Sequence, residues 1–304
     1  MKIFTDDFEK INYESILDEL NTNGYFAFSK ALTSEFVDKI EKESTENKIN
    51  INDNLMSGLY LNKQYYFVNL LTRSREFYDY VTSDLIKNIC FKYFNKDFRL
   101  KAQRYYETYG GHHMAWHTDN KIDRKFAEIS GLIFIFYVSD VEEGEFQYVK
   151  GSHKWSNHSA YNIFTDKYIE EEHKNEIKSF KMPKGSLIIY NTYGIHRARP
   201  VKNKSFSRKS VFMQIDGDIT NGEPIYLNSR IHYKKDEWIN TLLGFGMNAD
   251  NKEFPPANAK TIPPWLAFKI AIKLLVYIPR SLFLALITNE QKIKIKTFFG
   301  FNKS

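Results

Sequence analysis

The chain holds a single cysteine, Cys90, among 304 residues. An intramolecular disulfide and a thiolate metal cluster are therefore both excluded, and nothing suggests an oxidising compartment. No apolar leader opens the chain. Met1 to Thr5 runs directly into Asp6 and Asp7, so no signal peptide is expected and a cytoplasmic location is. Internal repeats and low-complexity tracts are absent. Net charge is also missing from most of the chain. The formal +6 resides in residues 265–304, where six lysines and one arginine face only Glu290. Residues 1–264 are balanced at 36 basic against 36 acidic, which argues against a nucleic-acid groove there.

What remains is the composition of a folded soluble protein, 42% hydrophobic and 26% charged, long enough for one large domain or two small ones. The 16% aromatic share suits core packing, or the wall of a ligand cavity. Patterning divides the chain. Residues 13–23 read as an amphipathic helix closed by Asn23-Gly24, followed by a short strand, Tyr25–Ser29. Thr33 is placed to cap a helix that carries Phe36, Val37 and Ile40 inward. A further helix is expected from about Phe77 to Phe94, and residues 51–72 read as a loop or cap. From Arg99 short β-rich runs take over: Leu100–Thr108, Ser130–Val138, Glu145–Val149, Ser186–Tyr190 and Arg208–Asp216. One helix, about Asp166–Glu176, interrupts them. Many short strands at this spacing predict a sandwich or barrel with the earlier helices packed outside.

His117-Thr118-Asp119 sets two metal-ligating side chains two residues apart. On a strand, positions i and i+2 share a face, so both reach one ion. A further histidine would complete the two-histidine, one-carboxylate set that suits iron(II) and leaves coordination positions open. Alone the pattern is not selective, since a chain with eight histidines meets it about once by chance.

Its surroundings are more specific. Trp116-His117-Thr118-Asp119 is followed by Ser130-Gly131-Leu132-Ile133-Phe134-Ile135-Phe136-Tyr137-Val138, then Glu143-Gly144-Glu145-Phe146 and Gly151-Ser152-His153. Downstream come Lys184-Gly185-Ser186-Leu187-Ile188-Ile189-Tyr190, Gly194-Ile195-His196, and a closing stretch with Asn203, Ser205, Arg208 and Val211-Phe212. In this order the set, over about residues 99–216, resembles the phytanoyl-CoA dioxygenase family. Lys150 stands where that family commonly has proline.

The resemblance implies a mainly β fold with flanking helices. A double-stranded β-helix (jelly-roll, cupin-like) core would span about 99–217 within an oxygenase domain of residues 1–217. It also implies iron(II), 2-oxoglutarate and dioxygen. By position, His117 and Asp119 would be the proximal ligands, His196 the distal one, and Arg208 the partner of the far carboxylate of 2-oxoglutarate. A planar guanidinium suits that carboxylate because it can grip both oxygens. Alternation from Arg208 puts Ser210, Phe212 and Gln214 on the same face, so Ser210 is expected beside the cosubstrate. No residue matches the group some members use at the first carboxylate; Gln103, Tyr105 or Tyr109 could stand in. His112, His113 and His153 read as loop or turn residues rather than ligands. The expected reaction is hydroxylation of a small-molecule or lipid-linked substrate with release of succinate and carbon dioxide. Asp119 fills the place that a halogenating relative would leave open. The competing reading is a catalytically inactive ligand-binding or scaffold protein on the same fold, and an intact ligand set speaks against it.

Residues 218–264 carry no motif and are expected to form a lid or connection. The tail, 265–304, starts as an apolar run broken by Lys269, Lys273 and Arg280, which fall at about 0°, 40° and 20° round a helical wheel. It is too interrupted to span a bilayer. Pro263-Pro264 should start a helix, and Pro279 should kink or break it. A helix of this kind, through about residue 296, could lie on the inner face of an anionic membrane as a peripheral contact, or pack on protein.

Overall fold

The computed structural model describes residues 1–46, 59–61, 64–68, 70–110, 114–119, 131–155, 165–203, 205–220, 222–228, 236–249, 264–288 and 291. It forms two compact units, 1–254 and 255–304. The division therefore falls between Phe254 and Pro255, inside the stretch read as a lid or connection. His112, His113, Ser130, Lys204 and residues 51–58 lie outside the described residues.

The first unit opens with α1 (Asp6–Glu9) and α2 (Tyr13–Asn23), then β1 (Tyr25–Phe28) and α3 (Ser34–Thr45). The ends of α2 are where local chemistry puts them. Asn12 accepts the amide of Glu14, and Gly24 takes the left-handed conformation at φ 86°. A side chain there would run into the hydroxyl of Tyr148. Thr33 caps α3 by accepting the amide of Phe36.

The stretch read as a loop between 51 and 72 instead carries β2 (Leu59–Leu61), β3 (Gln64–Phe67) and the start of α4 (Leu70–Arg73). The hairpin has no clean alternation because Gln64, Tyr65 and Phe67 are all buried, on both faces. The single helix expected over 77–94 is two, α5 (Arg75–Val81) and α6 (Asp84–Phe94). Thr82-Ser83 separates them, and Ser83 caps α6 by accepting the amide of Ile86.

The β region follows: β4 (Arg99–Tyr109), β5 (Leu132–Tyr137), β6 (Phe146–Val149), α7 (Asp166–Glu172), β7 (Ile177–Phe180), β8 (Leu187–Asn191), β9 (His196–Ala198) and β10 (Ser207–Asp216). Seven strands make one antiparallel sheet in the order β1-β8-β5-β10-β4-β3-β2, and three make a second, β7-β6-β9. Neighbours far apart in sequence are what a jelly roll requires. A short helix, α8 (Glu237–Leu243), completes the unit.

The core lies in layers. Leu132, Phe134 and Phe136 point from β5 toward the N-terminal helices and join Ile16, Phe36, Ile40, Tyr80 and Ile89. Ile133, Ile135 and Tyr137 point the other way and meet Phe146, Tyr148 and Phe180 of the small sheet. A strand buried on both faces reads as a continuous apolar run, and Leu132–Tyr137 is one. A third, smaller cluster, Trp116, Val149, Ile169 and Ile195, joins α7 to the small sheet.

The second unit contains α9 (Pro264–Leu286), which runs unbroken through Pro279. Among the described residues no helix is long and apolar enough to cross a membrane.

Candidate metal centre and cosubstrate cavity

The two sheets enclose a cavity of about 290 Å³. His117, Asp119 and His196 line it, and each offers a ligand atom within 4.8 Å of the others'. His196 opens β9. His117 faces it through an isolated antiparallel bridge, with amide-to-carbonyl bonds of 3.0 and 2.9 Å in the two directions. The segment 117–119 is thus not an extended strand, as the spacing suggested. It is tied by that bridge and by the Asp119 amide, which donates to the Thr192 carbonyl at 3.2 Å. Alternation still holds locally: Thr118 is buried while His117 and Asp119 both line the cavity.

Both imidazoles are oriented by their own backbone. Nδ1 of His117 lies 2.8 Å from the Ala115 carbonyl, and Nδ1 of His196 lies 2.9 Å from the Gly194 carbonyl. A carbonyl only accepts, so each Nδ1 carries a proton and each Nε2 is the ring atom turned toward Asp119. These Nε2 atoms converge on Asp119, at 3.9 Å from Oδ1 for His117 and 3.1 Å from Oδ2 for His196. Tyr190 of β8 donates to Asp119 Oδ2 at 3.0 Å. Burial, reinforced by His196, drops the His117 imidazole to about 4, although Asp119 pulls it upward. Burial alone would raise the Asp119 carboxyl. His196, His117 and the Tyr190 hydroxyl outweigh it and hold the group at about 2. Near neutral pH the site therefore presents a neutral His117 and an ionised carboxylate, the protonation states that a cation needs.

The Gly151-Ser152-His153 turn supports the segment that leads into His196. Ser152 Oγ accepts the amide of Ile195 at 2.8 Å, and His153 Nε2 lies 3.2 Å from the Asn21 carbonyl.

At the wall formed by β10 and β4, Arg208, Ser210 and Phe212 line the same cavity. Their cross-strand partners are Thr108, Tyr106 and Arg104. Arg208 is 3% exposed. Its Nη1 donates to the Gly144 carbonyl and its Nη2 to Thr108 Oγ1 at 3.3 Å. Its Nε has no hydrogen-bond partner among the described residues, and neither does the buried Ser210 Oγ. Buried polar atoms left this way are costly. A guanidinium N–H and a hydroxyl left over in one cavity suit a carboxylate, so the donor set fits the far end of a dicarboxylic acid.

Gln103 and Tyr109, expected near the first carboxylate, are not among the residues that line the cavity. On β4 the even positions Arg104, Tyr106 and Thr108 share the face of Arg208. The odd positions face the helices, where Tyr105 belongs to the main core and Tyr109 packs against it. The Tyr109 hydroxyl donates to Glu107, and Tyr105 does so at 2.9 Å. Besides Arg104 and Tyr106, the polar groups that line this side are Gln64 of β3 and Tyr66, whose hydroxyl donates to Gln64 Oε1. Register was the missing signal: once Arg208 is assigned to the cavity, its antiparallel neighbour fixes which parity of β4 accompanies it.

Comparison with known proteins gives a consistent picture. The model for phytanoyl-CoA dioxygenase (PhyH) matches residues 20–210. No curated protein matches by sequence. Among solved structures, HygX from Streptomyces hygroscopicus with nickel, 2-oxoglutarate and hygromycin B bound is similar at 15% identity and a TM-score of 0.54, covering 68% of this chain and 88% of HygX. Its iron-bound form is similar at a TM-score of 0.52 and 15% identity, covering 68% and 87%. The non-haem alpha-ketoglutarate-dependent carbocyclase SnoK from nogalamycin biosynthesis is similar at 13% identity and a TM-score of 0.51, covering 68% and 85%. With the family model spanning most of the jelly roll and both ends of its cavity, the chain belongs to the phytanoyl-CoA dioxygenase family of iron(II)- and 2-oxoglutarate-dependent oxygenases.

Proposed function

We propose that the protein hydroxylates a small-molecule substrate in this cavity, with His117, Asp119 and His196 holding iron(II) and Arg208 holding 2-oxoglutarate. The observation that carries the reading is that the three ligands and the buried Arg208–Ser210 pair line one cavity. Three protein ligands would leave positions on the ion free for a chelating 2-oxo acid and dioxygen. When bound, iron, 2-oxoglutarate and dioxygen supply an oxidant able to take hydrogen from a C–H bond, with succinate and carbon dioxide as co-products.

The chain's own residues bind, orient and exclude water. Arg208 holds the far carboxylate through its guanidinium, with Ser210 Oγ as a second donor. Phe146, Ile135, Tyr190 and Phe212 wall the cavity with apolar surface, so water competes poorly there. Asp119 supplies the carboxylate ligand, which favours hydroxylation over halogenation. Residues 222–228 pass beside β4 and α4, held by the amides of Glu223 and Asn228. Glu223 pairs with Arg104, whose guanidinium lies 5.2 Å from the centre of the Phe212 ring, and its amide donates to the Lys101 carbonyl at 2.8 Å. We assign this strap a part in selecting the substrate. The test is anaerobic addition of iron(II) and 2-oxoglutarate to the full chain. A weak visible band should appear, and admission of oxygen should then release succinate slowly even without substrate. Loss of both signals in the wild-type protein would reject the reading.

For the second unit, we infer a peripheral contact with an anionic lipid surface. The run from Phe254 to Asn289 contains no acidic residue, while Lys269, Lys273 and Arg280 fall within about 40° of one another on a helical wheel. Phe268, Leu275, Tyr277, Leu282 and Leu286 are all exposed. Apolar side chains beside a basic stripe match the boundary of an anionic bilayer, where each cation near the surface contributes about 1 kcal/mol. The full chain should sediment with phosphatidylserine vesicles and release in high salt. A Lys269→Glu, Lys273→Glu, Arg280→Glu variant should stay in solution. Equal sedimentation of both proteins would contradict the inference.

A further inference from the structure

Behind the two histidine ligands lies a cluster that the cofactor reading does not use. His117 and His196 face each other across their bridge, and their imidazoles turn into the cavity with centres 4.4 Å apart. Arg197 borders the cavity too, but its guanidinium reaches away from the imidazoles toward Trp116 and α7. There the Arg197 guanidinium lies 4.3 Å from the centre of the Trp116 ring. The same guanidinium donates to Gln147 Oε1 at 2.8 Å and to Glu170 at 2.6 Å, and pairs with Asp166 at 3.4 Å. Asp166 in turn accepts the amide of Trp116 at 3.3 Å. Asp166 and Glu170 are one helical turn apart on α7, so both reach one guanidinium. Arg197 and Trp116 are almost fully buried, 6% and 4% exposed.

Resting on the metal-centre reading, we propose that Arg197 is a positioning residue for the metal. With Trp116, Asp166 and Glu170 it forms a brace on the back of the histidine bridge and sets the spacing of the two ligands. Among the described residues the segment carrying His117 makes three backbone bonds to the β region, two in the bridge and one from Asp119. Such a short tether leaves the distance between the imidazoles to whatever grips the residues beside them. Arg197 grips both sides. It is covalently next to His196, and it holds Trp116 directly through the ring face and indirectly through Asp166. A planar guanidinium is required for this, because it stacks on the indole while its edge spends its N–H groups on three side chains. Lysine could keep the charge but not the stack.

The test is calorimetric titration of the full-length protein with nickel(II) alone, which needs neither turnover nor a known substrate. Groups that orient metal ligands from behind typically change affinity about 10- to 100-fold when altered. Arg197→Met, which keeps most of the alkyl stem, should weaken nickel binding by that factor and change the cobalt(II) visible absorption, a report on ligand geometry. Arg197→Lys should recover part of the loss. Ile89→Ala, in the core far from the site, controls for general destabilisation. It should lower the Tm while leaving nickel affinity as in the wild type. Glu170→Gln, a milder change on the half-exposed acid, should weaken binding in the same direction and keeps the proposal testable if Arg197→Met does not fold. Wild-type affinity in Arg197→Met or Glu170→Gln overturns the brace, and so does equal weakening in Ile89→Ala. If the wild type itself takes up no nickel, the metal-centre reading fails, and the brace fails with it.

Discussion

The two ends of the cavity are built differently. Arg208 and Ser210 sit in the middle of a large sheet, where β10 is paired on both sides by β4 and β5. Their positions follow from a continuous ladder and from strict alternation. At the other end only His196 sits in a ladder, that of β9 with β6. His117 is fixed by one isolated bridge, and Asp119 by one amide bond and the Tyr190 hydroxyl. The Arg208 end is therefore rigid by topology, whereas His117 and Asp119 are set by individual contacts. Substitution at the first end should change cosubstrate binding alone. At the second end even small side-chain changes should reach the metal.

The largest effect is expected from Asp119→Ala. It removes the carboxylate from the proposed ligand set and leaves two imidazoles, so nickel uptake by calorimetry should disappear. Next is Arg208→Met. Loss of one partner of a buried charged contact costs about 2–5 kcal/mol, so 2-oxoglutarate should bind about 30-fold more weakly or worse. Nickel affinity measured without 2-oxoglutarate should not change. If it falls as well, the two ends are coupled and the contrast between them is wrong.

A smaller change, about tenfold in metal affinity, is expected from Tyr190→Phe, which removes one hydrogen bond from Asp119. That hydrogen bond is one of the influences holding the carboxyl at about 2. Without it the value rises, protons compete for Asp119 at higher pH, and the acid limb of a metal-binding profile should move upward. A downward shift would contradict the role given to Tyr190. The smallest effects belong to Gln103→Leu and Tyr109→Phe, whose side chains face the helices. Both should leave 2-oxoglutarate affinity within about twofold, and a large loss in either would reverse the assignment of faces on β4.

Much of this was legible from residue order. The long apolar runs at Leu132–Tyr137 and Leu187–Tyr190 announce strands because burial on both faces leaves no polar positions. Arg208, Ser210 and Phe212 share a face in any extended run, and the structure puts them in one cavity. Other features depend on partners that no local pattern names. β9 has three residues, too few for a period, and is a strand only because β6 pairs with it. The hairpin of β2 and β3 continues the sheet edge beside β4, which makes its tyrosines look like loop chemistry in isolation. Gln103 was named as a stand-in at the first carboxylate, but its strand parity places it off the cavity lining. Arg197 reads as one more base beside Arg199 until α7 brings Asp166 and Glu170 onto it.

The most direct measurement is the anaerobic absorption spectrum of the wild-type protein with iron(II), before and after 2-oxoglutarate. A weak visible band should grow with 2-oxoglutarate, be absent in His117→Ala, and in Arg208→Met need far more 2-oxoglutarate to form. A wild-type protein that binds iron(II) and 2-oxoglutarate without the band, or that shows it undiminished in His117→Ala, would mean that these side chains do not meet at one ferrous centre.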